Sequence, residues 1–139
     1  MEKFMEEQKK SKPSVRARAE KIKDFRCKNL IAVIENPDDL RNIGTIIRNV
    51  NALGVEKAYV VTDQQSLPDD WQKMRTLSKL SAISASAIKW SFVKKFEHTD
   101  TCMDYLEKKG FVSAVTSPHI KGRKNVVLHE ADYTKYKKL

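Results

Sequence analysis

The stretch LIAVIENPDDLRNIGTIIRNVNALGVEKAYVV, residues 30–61, decides the fold of this chain. An apolar run at 30–34 is followed by a polar turn with Pro37, and apolar residues then recur at helical spacing. Gly54 stands where a helix-ending glycine is expected, and a second apolar run follows it directly. The pattern predicts a right-handed strand-helix-strand unit. The predicted apolar face of the helix comprises Ile43, Ile46, Ile47, Val50 and Leu53.

A group of polar residues lies where the first loop enters this helix. Ligands in open parallel sheets bind beyond the carboxyl ends of the strands, and this junction is expected there. The candidate site residues are Glu35, Arg41, Asn42, Gly44 and Arg48. Structural explanations stand beside the functional one: Asn42 is a good helix cap, Gly44 a possible packing glycine, and Arg48 an ordinary solvated residue.

Strands and helices continue to alternate after this unit. Asp69 or Asp70 is expected to cap a helix reaching Leu77 or Leu80. The small residues of 81–90 predict a close-packed turn that leads into a strand near 87–93. A helix from Thr99 or Asp100 to Gly110 and a strand over 111–116 should follow. The fold class predicted from this order is α/β with a largely parallel, Rossmann-like sheet.

The chain of 139 residues fits one domain, and its net charge of +9 indicates a polyanionic partner, most commonly nucleic acid. Residues 1–28 form a basic, partly helical extension with a helix over about 14–25, and residues 29–139 form the domain. The extension is either a solvated tail or an RNA-contacting arm. The basic residues of that arm are Arg16, Arg18, Lys21, Lys23 and Arg26.

Several classes of protein are excluded by motif and composition. Neither GxGxxG nor GxxxxGK[ST] occurs, so the common nucleotide-binding loops are absent. Cys27 and Cys102 lack zinc or disulfide spacing and are expected to be buried, while three isolated histidines predict no metal site. No apolar run is long enough for a membrane span or a signal peptide, so a cytoplasmic location is expected.

The junction NPDDLRNIGTIIRNVNALGV resembles the first motif of the SpoU, or TrmH-like, family of RNA ribose 2′-O-methyltransferases. That family belongs to the knotted SPOUT class. The positions that carry the resemblance are Pro37, Asn42, Gly44, Arg48 and Gly54. The likeness extends more weakly over residues 29–139.

The resemblance implies methyl transfer from S-adenosylmethionine to tRNA or rRNA. Arg48 would act at the target ribose, Asn42 would orient either Arg48 or the ribose, and Glu35 would pair with Arg48 or Arg41. Gly44 would let RNA or backbone come close. Independently of the resemblance, Lys121 and Arg123 lie in a basic loop that is expected either to contact RNA phosphate or to be a mobile charged surface.

Two further motifs of that family are not found in this sequence: a Gly-Glu loop after a strand and a Ser-Leu-Asn segment that opens the last helix. In the family they bind S-adenosylmethionine, so no residue here is assigned to the cofactor. The expected form is therefore a SPOUT-type domain truncated before the knot, and a homodimer is expected only if the knot is present. The alternative function is a non-catalytic RNA-binding remnant.

Overall fold

Three parallel β-strands form the centre of the molecule. The computed structural model describes residues 14–64, 67–117 and 125–139, and within them the strands lie side by side in the order β1-β2-β3. The strands are β1 (Cys27–Glu35), β2 (Val55–Val61) and β3 (Phe92–Phe96). The α-helices are α1 (Val15–Ile22), α2 (Leu40–Ala52), α3 (Trp71–Thr76), α4 (Ser78–Ile83) and α5 (Thr99–Lys108). The predicted α/β class with a parallel sheet is confirmed.

The three strands end at the same level. Glu35 of β1 pairs with Val61 of β2, and Val61 pairs in turn with Phe96 of β3. Because all strands run in the same direction, the loops that follow them leave from one common edge, which we call the carboxyl edge. The loop before α2 is one of these loops, as the sequence predicted.

Helix α2 covers one face of the sheet with its apolar side. Ile43 and Ile47 are completely buried, and they pack with β2 residues such as Val60 in the main core. Asp39 caps the amino terminus of α2, and Gly54, with a φ of 75°, follows its carboxyl terminus. Leu53 does not belong to this face as predicted: it is 78% exposed, because it lies beyond the last helical turn.

Helix α5 covers the opposite face. Cys102 and Leu106 pack with Tyr59 and Phe96 of the sheet in a second apolar cluster. Burial is the main reason why the pKa of Tyr59 is raised to about 12. The predicted start at Thr99 is confirmed, and Gly110, with a φ of 79°, follows the helix.

The amino-terminal extension is built into the domain from Ser14 onward. Ser14 accepts a hydrogen bond from the amide of Ala17 and caps α1, as predicted. Ala19 is buried. The guanidinium of Arg26 donates to the side-chain oxygen of Asn51 at 2.9 Å and to the carbonyl of Val55 at 2.7 Å. Arg26 therefore holds this segment to the sheet and is not available for the RNA contact predicted for it.

The segment before β3 differs from the sequence prediction. The helix expected through Leu80 is interrupted at Leu77, which gives the two short helices α3 and α4. Residues 84–86 form a turn in which Ala85 and Ser86 have positive φ, and a 3₁₀ turn, Ala87–Lys89, follows. β3 thus begins at Phe92 and not near residue 87. The small side chains favour this tight turn over an extended strand.

The strand predicted over 111–116 is wrong. In the described ranges this segment has no ladder with the sheet, and Val112 instead donates its amide to the carbonyl of Lys138 at 3.0 Å. Leu139 lies against β1: its amide donates to Asn29 at 2.8 Å, and its carbonyl accepts from Ile31 at 3.0 Å. Local β-preference is not sufficient for a strand where no partner edge adjoins it.

The two cysteines differ in environment. Cys102 is buried, and burial raises the pKa of its thiol to about 11. Cys27 was also expected to be buried, but it is exposed, because it lies in the uncovered first half of the edge strand β1. None of the helices in the described ranges has the length and apolar character needed to cross a bilayer.

Candidate functional site

Backbone hydrogen bonds between strand ends set the shape of the carboxyl edge. The amide of Asn36 donates to the carbonyl of Val61 at 2.8 Å, and the amide of Thr62 donates to that of Phe96 at 2.9 Å. Asn36 has a φ of 42°, a left-handed conformation that asparagine adopts more readily than most residues. Each loop is therefore attached to the neighbouring strand before it turns toward its helix.

Asp39 begins α2 and also engages a candidate residue. Its carboxylate accepts hydrogen bonds from the backbone amide of Arg41 and, at 2.7 Å, from the Arg41 Nε. These bonds stabilise the charged form and lower the pKa of Asp39, with the backbone bond as the larger cause. The guanidinium of Arg41 is thus folded back onto the cap, although it remains exposed.

Asn42 does not cap α2. Asp39 holds that position, and Asn42 lies in the first turn with an exposed side chain. The structural explanation considered for Asn42 from the sequence is therefore wrong.

Arg48 lies on the exposed side of α2. Within the described part of the chain its guanidinium makes no hydrogen bond or ion pair. Arg48 stands seven residues after Arg41, which places both on one line of the helix. Asn42 stands six residues before Arg48, so the two are about 9 Å apart along the axis and about a third of a turn apart around it. They border the exposed side of α2 at opposite flanks.

Gly44 is buried between α2 and α4. A Cβ atom at this position would lie 2.5 Å from the Cγ2 atom of Ile83 and 3.3 Å from the amide nitrogen of Ser84. The close approach that Gly44 allows is therefore that of α4. The packing explanation considered from the sequence is confirmed, and Gly44 is buried.

Glu35 connects β1 to α5. Its Oε1 atom accepts a hydrogen bond of 2.6 Å from the hydroxyl of Thr99. Among the described residues no ion pair joins it to Arg41 or Arg48, so the pairing predicted for Glu35 is wrong. Glu35 instead bonds to the first residue of α5, the helix that follows β3, because β1 and β3 both end at the carboxyl edge.

Lys95 is a buried cation that the sequence analysis did not single out. Its side chain is only 5% exposed, and its Nζ atom lies 3.1 Å from each of three acceptors. These are the carbonyls of Gln64 and Leu67 and the carboxylate of Asp69. The side-chain amide of Gln64 in turn donates to the carbonyl of Pro37 at 3.1 Å. Lys95 therefore holds the loop after β2 against the loop that carries the candidate site.

The Lys95→Met variant is expected to loosen this loop. The substitution keeps side-chain length but leaves two part-buried carbonyls without their donor, which costs about 1–3 kcal/mol. We expect a lower urea midpoint and faster hydrogen exchange at the Gln64 amide. Asp69→Ala is the matched control, because its carboxylate is 81% exposed and an exposed ion pair contributes little. Equal effects of the two variants would contradict the role assigned to Lys95.

The predicted arm residues occupy two different environments. Arg16 forms an ion pair with Glu20 and lies over the ring of Phe92 at 4.4 Å. Arg18 is exposed, with its guanidinium 5.4 Å from the ring centre of Trp90. Lys121 and Arg123 lie outside the described residues. In the described ranges no group of three or more His, Cys, Asp or Glu side chains could hold a metal ion.

These features define an α/β domain whose candidate ligand site lies along α2, beside the carboxyl edge of a parallel sheet. The model of the SpoU rRNA Methylase family matches residues 29–138, and the chain belongs to this family.

A solved structure shares the fold. The chain superposes on a TrmH/SpoU tRNA modifying enzyme of A. aeolicus with a TM-score of 0.51 and 20% sequence identity. The match covers 70% of this chain and 46% of that enzyme, so the chain spans less than half the length of this neighbour. At this identity the likeness concerns the fold. No curated protein sequence matches the chain.

Proposed function

We propose that this chain provides the RNA-contacting part of an RNA ribose 2′-O-methyltransferase that uses S-adenosylmethionine. Membership of the SpoU rRNA Methylase family supports this proposal. The observation that carries it is the state of Arg48, whose exposed guanidinium is not engaged by any described residue. By comparison, Arg41 is bonded to Asp39 and Arg26 to backbone carbonyls, so Arg48 is the arginine of this region that is ready for a ligand.

Arg48 would bind the phosphate next to the target ribose. A guanidinium offers two parallel N–H donors to a phosphate and keeps its charge at all ordinary pH values. The same charge would stabilise the alkoxide that develops when the 2′-hydroxyl loses its proton. Asn42, on the opposite flank of the exposed side, would donate to the ribose and not to Arg48.

The described residues do not fit the methyl donor. At the carboxyl edge Glu35 is bonded to Thr99, and Lys95 is bonded to loop carbonyls, so these charged groups are already engaged. The sequence also lacks the two cofactor motifs of the family that it resembles. We therefore derive no step through the cofactor. The engagement of Glu35 and Lys95 favours a second candidate, a non-catalytic RNA-binding domain.

A paired titration separates the two candidates. The chain is titrated by calorimetry with S-adenosylmethionine and, separately, with tRNA and an rRNA fragment. Methyl transfer is followed with labelled cofactor, and the modified RNA is digested to identify a 2′-O-methyl nucleoside. Binding of both ligands with transfer supports the enzyme, whereas RNA binding without cofactor binding supports the second candidate. Absence of RNA binding overturns both.

Three further expectations remain predictions. These are homodimer formation, a cytoplasmic location, and the division into a basic extension, 1–28, and a methyltransferase domain, 29–139. The tRNA substrate is the alternative favoured by the name of the structural neighbour, a tRNA modifying enzyme.

A further inference from the structure

A cleft of about 730 Å³ lies between α1 and the helix pair α3–α4. We call it the α1–α4 cleft. Its volume is that of a typical small-ligand site. The residues that line it are Ser14, Val15, Arg16, Gln72, Arg75, Thr76, Ser78, Ser81, Ala82, Ser86 and Lys89.

The lining of this cleft is basic and rich in hydroxyl groups. Arg16, Arg75 and Lys89 contribute positive charge, and no lining residue is acidic. Ser78, Ser81 and Ser86 add hydroxyl donors from α4 and the turn that follows it. Cations together with hydroxyl donors are the groups that proteins use to bind phosphate oxygens.

Both arginines lie against the same aromatic ring. Their guanidinium carbons lie 4.4 Å and 5.4 Å from the ring centre of Phe92, with Arg16 the nearer. Arg75 is 8% exposed, and its Nη2 atom donates to the carbonyl of Ser91 at 2.9 Å. Burial and, to a smaller extent, the charge of Arg16 lower the pKa of Arg75 to about 10, while the charge of Glu20 opposes this shift. An anion in the cleft would relieve the repulsion between the positive charges of Arg16 and Arg75.

The cleft and the candidate site share a wall. Ser81 and Ala82 of α4 line the cleft, while Ile83 of the same helix packs on Gly44 of α2. Arg48 stands four residues after Gly44 and therefore lies one helical turn further along the same flank of α2. Helix α4 therefore contacts α2 on one side and lines the cleft on the other.

We propose that the α1–α4 cleft binds a phosphate group of an RNA strand at a distance from the nucleotide that contacts Arg48. This inference rests on the proposed function, since it assigns a second contact to the same RNA. Arg16 and Arg75 bind the phosphate oxygens, and Lys89 and the serine hydroxyls complete the site. The cleft thereby fixes where the strand crosses α4 and which nucleotide reaches α2.

Lys89→Gln is the first test variant, because Lys89 is exposed and the loss of its charge leaves Arg16 and Arg75 in place. Lys108→Gln is the matched control, since it removes the same charge from α5, on the opposite face of the sheet. Affinity for a tRNA is measured at several salt concentrations for both variants and the parent chain. Loss of one phosphate contact should weaken binding several-fold and reduce the slope of log K against log salt by about 1. Lys108→Gln should leave the slope unchanged.

A second measurement uses inorganic phosphate alone. Amide chemical shifts of Ser78, Ser81 and Ser86 should move on addition of phosphate to the parent chain and move less in Lys89→Gln. Arg16→Gln serves as a second variant, and thermal unfolding verifies that both variants are folded. Phosphate shifts without any change in the RNA salt slope would assign the cleft to a small anion and overturn the inference.

The outcomes also separate this inference from the proposed function. If Arg48→Ala reduces the slope of log K against log salt and Lys89→Gln leaves it unchanged, the cleft assignment is overturned and the proposed function stands. Absence of any RNA binding by the parent chain overturns both. A reduced slope in Lys89→Gln and in Arg48→Ala, with no effect of Lys108→Gln, supports both.

Discussion

In a protein that combines this chain with a cofactor site, Arg48→Ala is expected to reduce RNA methyl transfer by about 10²–10³-fold, the usual effect of removing one donor that stabilises developing negative charge. The fold should be unaffected, because Arg48 is exposed and its side chain contacts no described polar partner. Transfer is measured with labelled S-adenosylmethionine, and the thermal unfolding midpoint is measured on the same preparation. Arg48→Ala should also bind RNA several-fold more weakly, and its slope of log K against log salt should be smaller by about 1.

Two controls give the Arg48 result its meaning. Arg48→Lys keeps the charge but loses the paired N–H donors. Its salt slope should therefore be close to that of the parent chain, while its transfer rate should stay well below the parent rate. Arg41→Ala lies on the same line of α2, but its guanidinium is bonded to Asp39, so its effect should be smaller. Unchanged transfer and an unchanged salt slope in Arg48→Ala would contradict the assigned role.

Gly44→Ala is expected to destabilise the domain by about 1–3 kcal/mol, as overpacking of a tight core does. In an ordinary helix interior the same substitution is stabilising by about 1 kcal/mol, so the sign of the effect is the test. The reason is that the added Cβ would lie 2.5 Å from Ile83 Cγ2, in a buried contact between two helices. The free energy of unfolding is measured with urea.

A double variant locates the source of this destabilisation. Ile83→Ala removes the Cγ2 atom, but its Cβ, at 3.0 Å, and the Ser84 amide nitrogen, at 3.3 Å, remain close to the new methyl group. Gly44→Ala combined with Ile83→Ala should therefore cost less than the sum of the single changes. Thr45→Ala, on the exposed side of the same turn, should be nearly neutral. A stabilising Gly44→Ala would show that α4 does not pack as described.

The strand-helix-strand unit could be predicted because its signals are local. Apolar spacing, a proline-containing turn and a helix-ending glycine all act within a few residues of each other. That the loops after the strands leave from one edge then follows from the parallel direction of the strands. For the same reason Ser14 and Thr99 were recognised as helix starts.

The wrong predictions share a different cause. The segment 111–116 has the composition of a strand but meets no ladder partner among the described residues, and residues 84–86 turn where an extended strand was expected. The role of Lys95 could not be predicted, because a lysine in the strand FVKKF is ordinarily exposed to solvent. In the structure the loop after β2 covers its side chain. The pairing of strands and the burial of a side chain by a loop both depend on segments that are far apart in the sequence.

The sequence by itself determined the α/β class, the position of the polar junction before α2, and the resemblance to the SpoU family, because each rests on spacing within one segment. Only the tertiary structure decided how the junction residues are used. It placed Gly44 against α4, bonded Glu35 to Thr99, and left Arg48 unengaged within the described chain. These outcomes depend on which distant segments meet at the carboxyl edge and at α4, and the physical reason is packing, which no local pattern encodes.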